Sequence, residues 1–158
     1  TRIEIKSDKE EDTIELPYRL SGDSLIIDSI NIADEVDRII KIYLDNRVKT
    51  VNSKAIRTYI RNFESDSLVV VANENYLSFR DDVEIEHLQL TGKDGANVYV
   101  FSEMIDYLDL QIDDATVTVR VELPEINAEL INGAVLSSKA PDNLQFKKER
   151  DCKVLMYR

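Results

Sequence analysis

Between Asp66 and Leu123, apolar residues repeatedly alternate with polar ones, and this alternation constrains the fold more than any other feature of the sequence. The clearest case is Val117, Val119, Val121 and Leu123, where every second residue is apolar. A period of two places successive side chains on opposite faces of a strand, so such a segment is half buried in a sheet. The second half of the chain is therefore predicted to be mostly β.

Turn signals divide this region into separate strands. Asn73-Glu74-Asn75 and Gly92-Lys93-Asp94-Gly95 combine residue types that tolerate tight backbone turns. Because these connections are short, we expect consecutive strands to form a meander. The predicted strands are 3–5, 13–20, 25–27, 68–72, 76–79, 83–90, 97–101 and 116–123, with a final strand or hairpin within 144–157. Short helical segments are predicted from Ser102 to Leu108 and over 126–132.

Two amphipathic helices are predicted in the first half. Asn31 and Ser53 are suitable N-cap residues, and an apolar stripe with a 3.6-residue period follows each of them. The first stripe is Ile32, Val36, Ile39, Ile40, Tyr43 and Leu44, and the second is Ile56, Tyr59, Ile60 and Phe63. The sequence thus predicts an α+β fold, in which helices over about 32–47 and 54–64 pack on one face of a mixed or antiparallel sheet.

The length and composition are typical of one folded domain. The chain has 158 residues, of which 43% are hydrophobic and 32% charged, and this composition is far from that of disordered chains. No internal repeat or linker indicates a boundary, so we expect a single domain over 1–158, whether complete or part of a longer protein. Cys152 is the only cysteine and no stretch reaches the roughly 18 apolar residues of a membrane helix, so we expect a cytoplasmic protein.

Charge is distributed unevenly along the chain. The net charge is −11, yet residues 47–63 carry five basic and no acidic side chains, whereas residues 64–143 carry four basic and seventeen acidic ones. On the predicted second helix, Lys54, Arg57 and Arg61 would share one face, which would attract carboxylates or phosphates. The partner of this face is the domain's own acidic strands, an acidic protein or a nucleic acid. The candidate binding residues are Arg47, Lys49, Lys54, Arg57 and Arg61.

Three functions are compatible with this charge pattern. The leading hypothesis is a non-catalytic protein–protein interaction module or subunit of a larger assembly, whose partners include a second copy of the chain. The alternative is a nucleic-acid-binding module in which residues 47–63 form a helix-turn-helix, although a net charge of −11 opposes approach to a polyanion. The third is an acidic inhibitor that mimics DNA, which requires exposed rows of carboxylates at about phosphate spacing.

The sequence lacks the residue patterns that enzymes and metal sites require. His87 is the only histidine and Cys152 the only cysteine, so a structural zinc ion would have too few ligands. No serine is flanked by glycines as in hydrolases, and the four glycines do not form a phosphate-binding loop. Asp82, Glu84 and Glu86 lie on one face of a predicted strand, and exposure of that face to solvent accounts for these acidic residues without a metal ion. We therefore expect no catalysis, no metal ion and no cofactor.

Overall fold

The computed structural model describes residues 2–7, 18–21, 24–27, 38–43, 48–54 and 57–157, and before residue 48 only the course of the backbone. These residues form sixteen β-strands and contain no helix. From β5 (Thr50–Lys54) onward the strands wind into a parallel β-solenoid of about six turns, in which strands of successive turns pair with one another. Among the described residues there is consequently no helix that could span a membrane.

The strands belong to three sheets. The smallest pairs β1 (Arg2–Ser7) with β4 (Arg38–Tyr43) in antiparallel orientation. The eight-stranded sheet contains β2 (Tyr18–Ser21), β3 (Ser24–Ile27), β5 (Thr50–Lys54), β7 (Phe63–Asn73), β9 (Val83–Lys93), β11 (Ile105–Asp113), β13 (Glu125–Ile131) and β15 (Asn143–Lys148), and only its β2–β3 pair is antiparallel. The six-stranded sheet is wholly parallel and contains β6 (Thr58–Ile60), β8 (Tyr76–Phe79), β10 (Asn97–Val100), β12 (Thr116–Val119), β14 (Val135–Lys139) and β16 (Lys153–Tyr157).

One turn consists of a long strand of the eight-stranded sheet followed by a short strand of the six-stranded sheet. Burial alternates along the 11 residues of β7 but changes phase between Ser65 and Leu68, which indicates that the strand passes a corner there. The same burial pattern recurs along β9, whose Val83 pairs with Phe63. The residues before this corner form a third, narrower surface of the solenoid, here called the short face, with Glu64, Asp66, Glu84, Glu86 and Asp106 pointing outward.

The core is built from stacks of equivalent inward side chains. Leu68, Leu88, Leu108 and Ile126 occupy one register position and are completely buried. Leu77, Val98, Val117 and Leu136 form a second such stack on the six-stranded sheet. Burying a side chain of this size contributes about 1.5–3 kcal/mol. Since a single turn cannot enclose these side chains, stability depends on stacking against neighbouring turns.

The corners between the two large sheets use left-handed backbone conformations. Glu74, Asp94, Asp114 and Asn132 have φ values of 50°, 52°, 47° and 53°, and Asp94 and Asn132 are followed by glycines that also have positive φ. Asp, Asn and Gly adopt this region at the lowest cost. The turn signals in the sequence therefore mark real turns, but these turns connect strands of different sheets.

The predicted α+β fold is wrong, because strands occupy the described parts of both predicted helices. Within 54–64 lie the end of β5, all of β6 and the start of β7, while residues 55 and 56 are outside the described residues. Within 32–47, residues 38–43 form β4 and the rest are outside the described residues. The two predicted helical segments are also wrong: residues 105–108 of the segment 102–108 lie in β11, and residues 126–131 of the segment 126–132 lie in β13.

The helical spacing of Ile60 and Phe63 comes from a corner. Both side chains are buried, but they lie on different strands on either side of Asn62, which has a φ of 47°. A separation of three residues here reflects a change of face of the solenoid and not one turn of a helix. Tyr59, which a helix would bury, is 38% exposed.

Individual strands were predicted better than their pairing. Residues 76–79 coincide with β8, the predicted strands at 3–5, 25–27, 68–72 and 83–90 lie inside longer strands, and 97–101 and 116–123 begin at the observed residues but extend too far. The predicted strand at 13–20 overlaps β2, and its first five residues are outside the described residues. The meander is wrong, since β7 and β8 belong to different sheets, and β15 and β16 are not a hairpin.

The structure contains a repeat that does not stand out in the sequence. Val69 pairs with Gln89, Asp109 with Asn127, and Leu77 with Val98. The turn length therefore varies between 18 and 21 residues at these pairs. A repeat of variable length and low sequence identity leaves little trace in the sequence.

Candidate binding site

Basic residues line one corner of the solenoid. Ile60, Phe79, Val100, Val119 and Ser138 pair in succession along the six-stranded sheet. The residue that follows each of them occupies the same corner on successive turns, about 4.8 Å from its neighbours along the solenoid axis. These five residues, here called the cationic corner, are Arg61, Arg80, Phe101, Arg120 and Lys139.

The cationic corner contrasts with the composition around it. Residues 64–143 contain only four basic side chains against seventeen acidic ones. Three of these four, Arg80, Arg120 and Lys139, lie at this corner, and Lys93 is the fourth. Arg61 and Arg120 are exposed, and Arg80 and Lys139 are half-buried. The fold therefore gathers nearly all the positive charge of an acidic region into one line.

An aromatic ladder lies next to the cationic corner on the outside of the six-stranded sheet. Ring centroids are separated by 5.8 Å between Tyr59 and Tyr76, by 5.2 Å between Tyr76 and Tyr99, and by 6.2 Å between Tyr99 and Phe101. The last two pairs are stacked, with interplanar angles of 29° and 12°. The ring faces are therefore largely occupied by one another, and ring edges remain for a partner.

Two arginines complete this surface. The guanidinium carbon of Arg57 lies 5.5 Å from the centroid of Tyr76, and that of Arg80 lies 5.3 Å from the centroid of Phe101. Such cation–π contacts restrict the side chains while leaving their N–H groups able to donate hydrogen bonds. The surface is thus rich in donors and suited to acceptors such as carboxylates.

The structure separates the four predicted binding residues that it describes. Lys49 donates a hydrogen bond of 3.2 Å from Nζ to Ser65 Oγ, and Lys54 Nζ lies 4.0 Å from Glu74 Oε2. Arg57 and Arg61 adjoin the aromatic ladder and the cationic corner, and Arg47 is outside the described residues. The prediction that Lys54, Arg57 and Arg61 share a helix face is wrong, because Lys54 ends β5 and β6 separates Arg57 from Arg61.

Sequence reasoning missed Arg80, Phe101, Arg120 and Lys139. The available signal was their spacing, since the positions from Arg61 onward are 19, 21, 19 and 19 residues apart. A solenoid turn of that length would have placed them together.

Carboxylates form rows on the short face. Glu64 pairs with Glu84, and Glu86 lies between Asp66 and Asp106 on adjacent strands. All five side chains are exposed. Asp81, Asp82, Glu103 and Glu122 extend the negative surface up to the cationic corner. The Lys54–Glu74 ion pair and the contact of His87 with Asp109 lie elsewhere. A strongly negative surface therefore adjoins the positive line.

The groups considered for catalysis or metal binding lie apart. Glu84 and Glu86 are exposed on β9 while Val83 and Ile85 are buried, as the alternation predicted. Cys152 is buried, and its Sγ is 3.8 Å from Asp151 Oδ1. Among the described residues, one group of potential metal ligands has its ligand atoms within 4.8 Å of one another, and it consists of Glu149, Asp151 and Cys152. Glu149 there accepts a hydrogen bond from the Asn132 backbone N–H, which explains its position.

No protein-family model, no curated protein and no solved structure matches the chain.

Proposed function

We propose that the protein is a non-catalytic protein-interaction module whose cationic corner binds an extended acidic segment of a partner protein. The observation that supports this proposal is the placement of four cations at one register position over five turns. A segment that runs along the solenoid axis would meet a cation on each of these turns except that of Phe101.

The proposal has an energetic reason. Equivalent positions on neighbouring strands are about 4.8 Å apart, and like charges placed directly opposite one another are destabilising. Two unit charges at about 5 Å repel by roughly 1 kcal/mol even in water. An anionic partner would replace this repulsion by attraction, and the stacking of Arg80 on Phe101 reduces the freedom that the arginine loses on binding.

The acidic short face favours a narrow partner. Asp81 and Asp82 directly follow Arg80, and Glu122 is two residues from Arg120. A broad polyanion such as duplex DNA would be repelled by these carboxylates, whereas a single extended chain can remain at the corner. The helix-turn-helix itself is wrong because strands occupy the described part of 47–63. Binding of single-stranded nucleic acid stays the alternative hypothesis, although the mutually stacked rings offer few free faces to bases.

The third hypothesis, mimicry of DNA, also stays a prediction. It required exposed rows of carboxylates, and Asp66, Glu86 and Asp106 form one row at about 4.8 Å per turn. Each strand of DNA carries a phosphate every 3.4 Å along the helix axis. Exposed acidic rows also serve solubility alone, so this feature adds no weight to mimicry.

The test is a fluorescence-anisotropy comparison of two anionic probes at low and near-physiological salt. One probe is a labelled Glu/Asp-rich peptide and the other is single-stranded oligothymidine of equal charge. We expect the peptide to bind more tightly and its affinity to fall as salt rises. Preferential binding of oligothymidine would support the hypothesis that the cationic corner binds single-stranded nucleic acid. If neither probe binds at low salt, the proposal is contradicted.

A further inference from the structure

A second surface, separate from the cationic corner, lies on the outside of the eight-stranded sheet. A shallow groove of about 350 Å³ crosses β7, β9, β11, β13 and β15 there. Most of its lining side chains are polar, and the central ones are Gln89, Asp109, Gln111, Asn127, Glu129 and Lys147.

Register explains the shape of the groove. The outward side chains form two rows across adjacent strands. The first row is Gln89, Asp109 and Asn127. The second row, two residues further along the strands, is Gln111, Glu129 and Lys147. Asp109 and Asn127 have shorter side chains than their neighbours in the second row. The surface is therefore lower over these two residues, and the groove runs along the solenoid axis.

The centre of the groove is held in position before any ligand binds. Asn127 Nδ2 donates a hydrogen bond of 2.9 Å to Asp109 Oδ1, and the other carboxylate oxygen lies 3.9 Å from His87 Nε2. The His87 ring is packed edge-on against Tyr107, with 4.8 Å between the ring centroids. Asp109 is therefore restrained by a hydrogen bond from the neighbouring strand β13, which contributes to the preorganisation that a recognition site requires.

The chemistry of the lining restricts the class of ligand. Amides both donate and accept hydrogen bonds, carboxylates accept, and the ammonium group of Lys147 donates. Two carboxylates and one cation give little net charge, so neither a polyanion nor a polycation is strongly favoured, and little apolar surface is offered to a hydrophobic ligand. Hydroxyl groups also both donate and accept. Because rows of polar groups repeat from turn to turn, a ligand with repeating hydroxyl groups matches them best.

We propose that this groove binds a neutral carbohydrate chain along the solenoid axis. The proposal is independent of the cationic corner, because it uses different residues on a different sheet. Asp109 and Asn127 would contact the sugar hydroxyls directly.

Native affinity electrophoresis in gels containing soluble neutral glucans, mannans or xylans tests this proposal. The variants are Asp109→Ala/Asn127→Ala and the control Asn97→Ala, which replaces an exposed amide on the six-stranded sheet. We expect at least one polysaccharide to retard the wild type and the control equally, and the double variant to lose at least about tenfold in affinity. Gln89→Ala/Gln111→Ala replaces the double variant if circular dichroism shows that the latter is unfolded.

Three results would overturn the carbohydrate site. The first is that no neutral polysaccharide retards the wild type. The second is that the groove variants are retarded as much as the wild type. The third is that only anionic polysaccharides retard the protein and that Arg80→Glu abolishes this retardation. The last result would assign carbohydrate binding to the cationic corner.

Discussion

The guanidinium of Arg80 stacks on the ring of Phe101, the residue at the same corner one turn later, at 5.3 Å from the ring centroid. Tyr99 contacts the same ring at 6.2 Å. Phe101 thereby separates Arg80 from Arg120 and joins the cationic corner to the aromatic ladder. A line of cations is tolerated in part because an aromatic ring interrupts it.

Replacing Arg80 by Gln is expected to lower the free energy of unfolding by about 0.5–1 kcal/mol, the usual contribution of an exposed cation–π contact. Urea denaturation measures this change. Arg120→Gln is the matched control, since Arg120 has no such contact within residues 48–54 and 57–157, and it should change stability by less than about 0.5 kcal/mol. Equal losses in both variants would show that the ring contact is energetically unimportant.

Replacing Leu88 by Ala is expected to lower the free energy of unfolding by about 2–5 kcal/mol, because this side chain is fully buried at the centre of a stack. The exposed neighbour Gln89 provides the comparison, and Gln89→Ala should stay within about 0.5 kcal/mol of the wild type. A small loss of stability for Leu88→Ala together with a large loss for Gln89→Ala would show that Gln89, and not Leu88, faces the core.

Spin labels at Val69 and Gln89 should couple strongly, because these outward residues pair on adjacent parallel strands, about 4.8 Å apart between strands. Electron paramagnetic resonance of the Val69→Cys/Gln89→Cys variant measures this coupling. Labels at 69 and 109, two strands apart, should couple more weakly. Stronger coupling in the second pair would contradict the parallel register.

Replacing Glu86 by Lys is expected to stabilise the fold by about 0.3–1 kcal/mol at low salt, because Glu86 lies between Asp66 and Asp106 on adjacent strands. Thermal unfolding at low and high salt measures the effect. The gain should largely disappear at about 1 M salt, where the Debye length is about 3 Å. A gain that is independent of salt would indicate a cause other than charge.

The fold could be predicted only at the level of single strands. The strand Tyr76–Phe79 was located correctly because the turn residues Asn73-Glu74-Asn75 mark where it begins. The second predicted helix was wrong because the corner at Asn62 gives Ile60 and Phe63 a spacing of three without a helix. Pairing was also wrong, since parallel pairing links residues about 20 positions apart, and local turn signals contain no information about such partners.

The candidate site was predicted even less completely. A charge count over a continuous segment found Arg57 and Arg61, which lie close together in the sequence. Arg80, Arg120 and Lys139 are isolated cations among acidic residues in the sequence, and only the turn length brings them to the corner of Arg61. Lys49 and Lys54, which the charge count grouped with them, lie elsewhere on the solenoid, and each contacts a nearby polar residue.

Titration of the labelled acidic peptide against two variants with equal changes in charge tests the central claim most directly. Arg80→Glu/Arg120→Glu alters the cationic corner, and Lys147→Glu/Lys153→Glu alters exposed lysines elsewhere. If the corner is the binding surface, the first variant loses at least about tenfold in affinity at low salt, while the second stays within about threefold of the wild type. Equal losses in the two variants, with thermal unfolding showing both folded, would mean that only net charge matters and would contradict a dedicated binding site at the cationic corner.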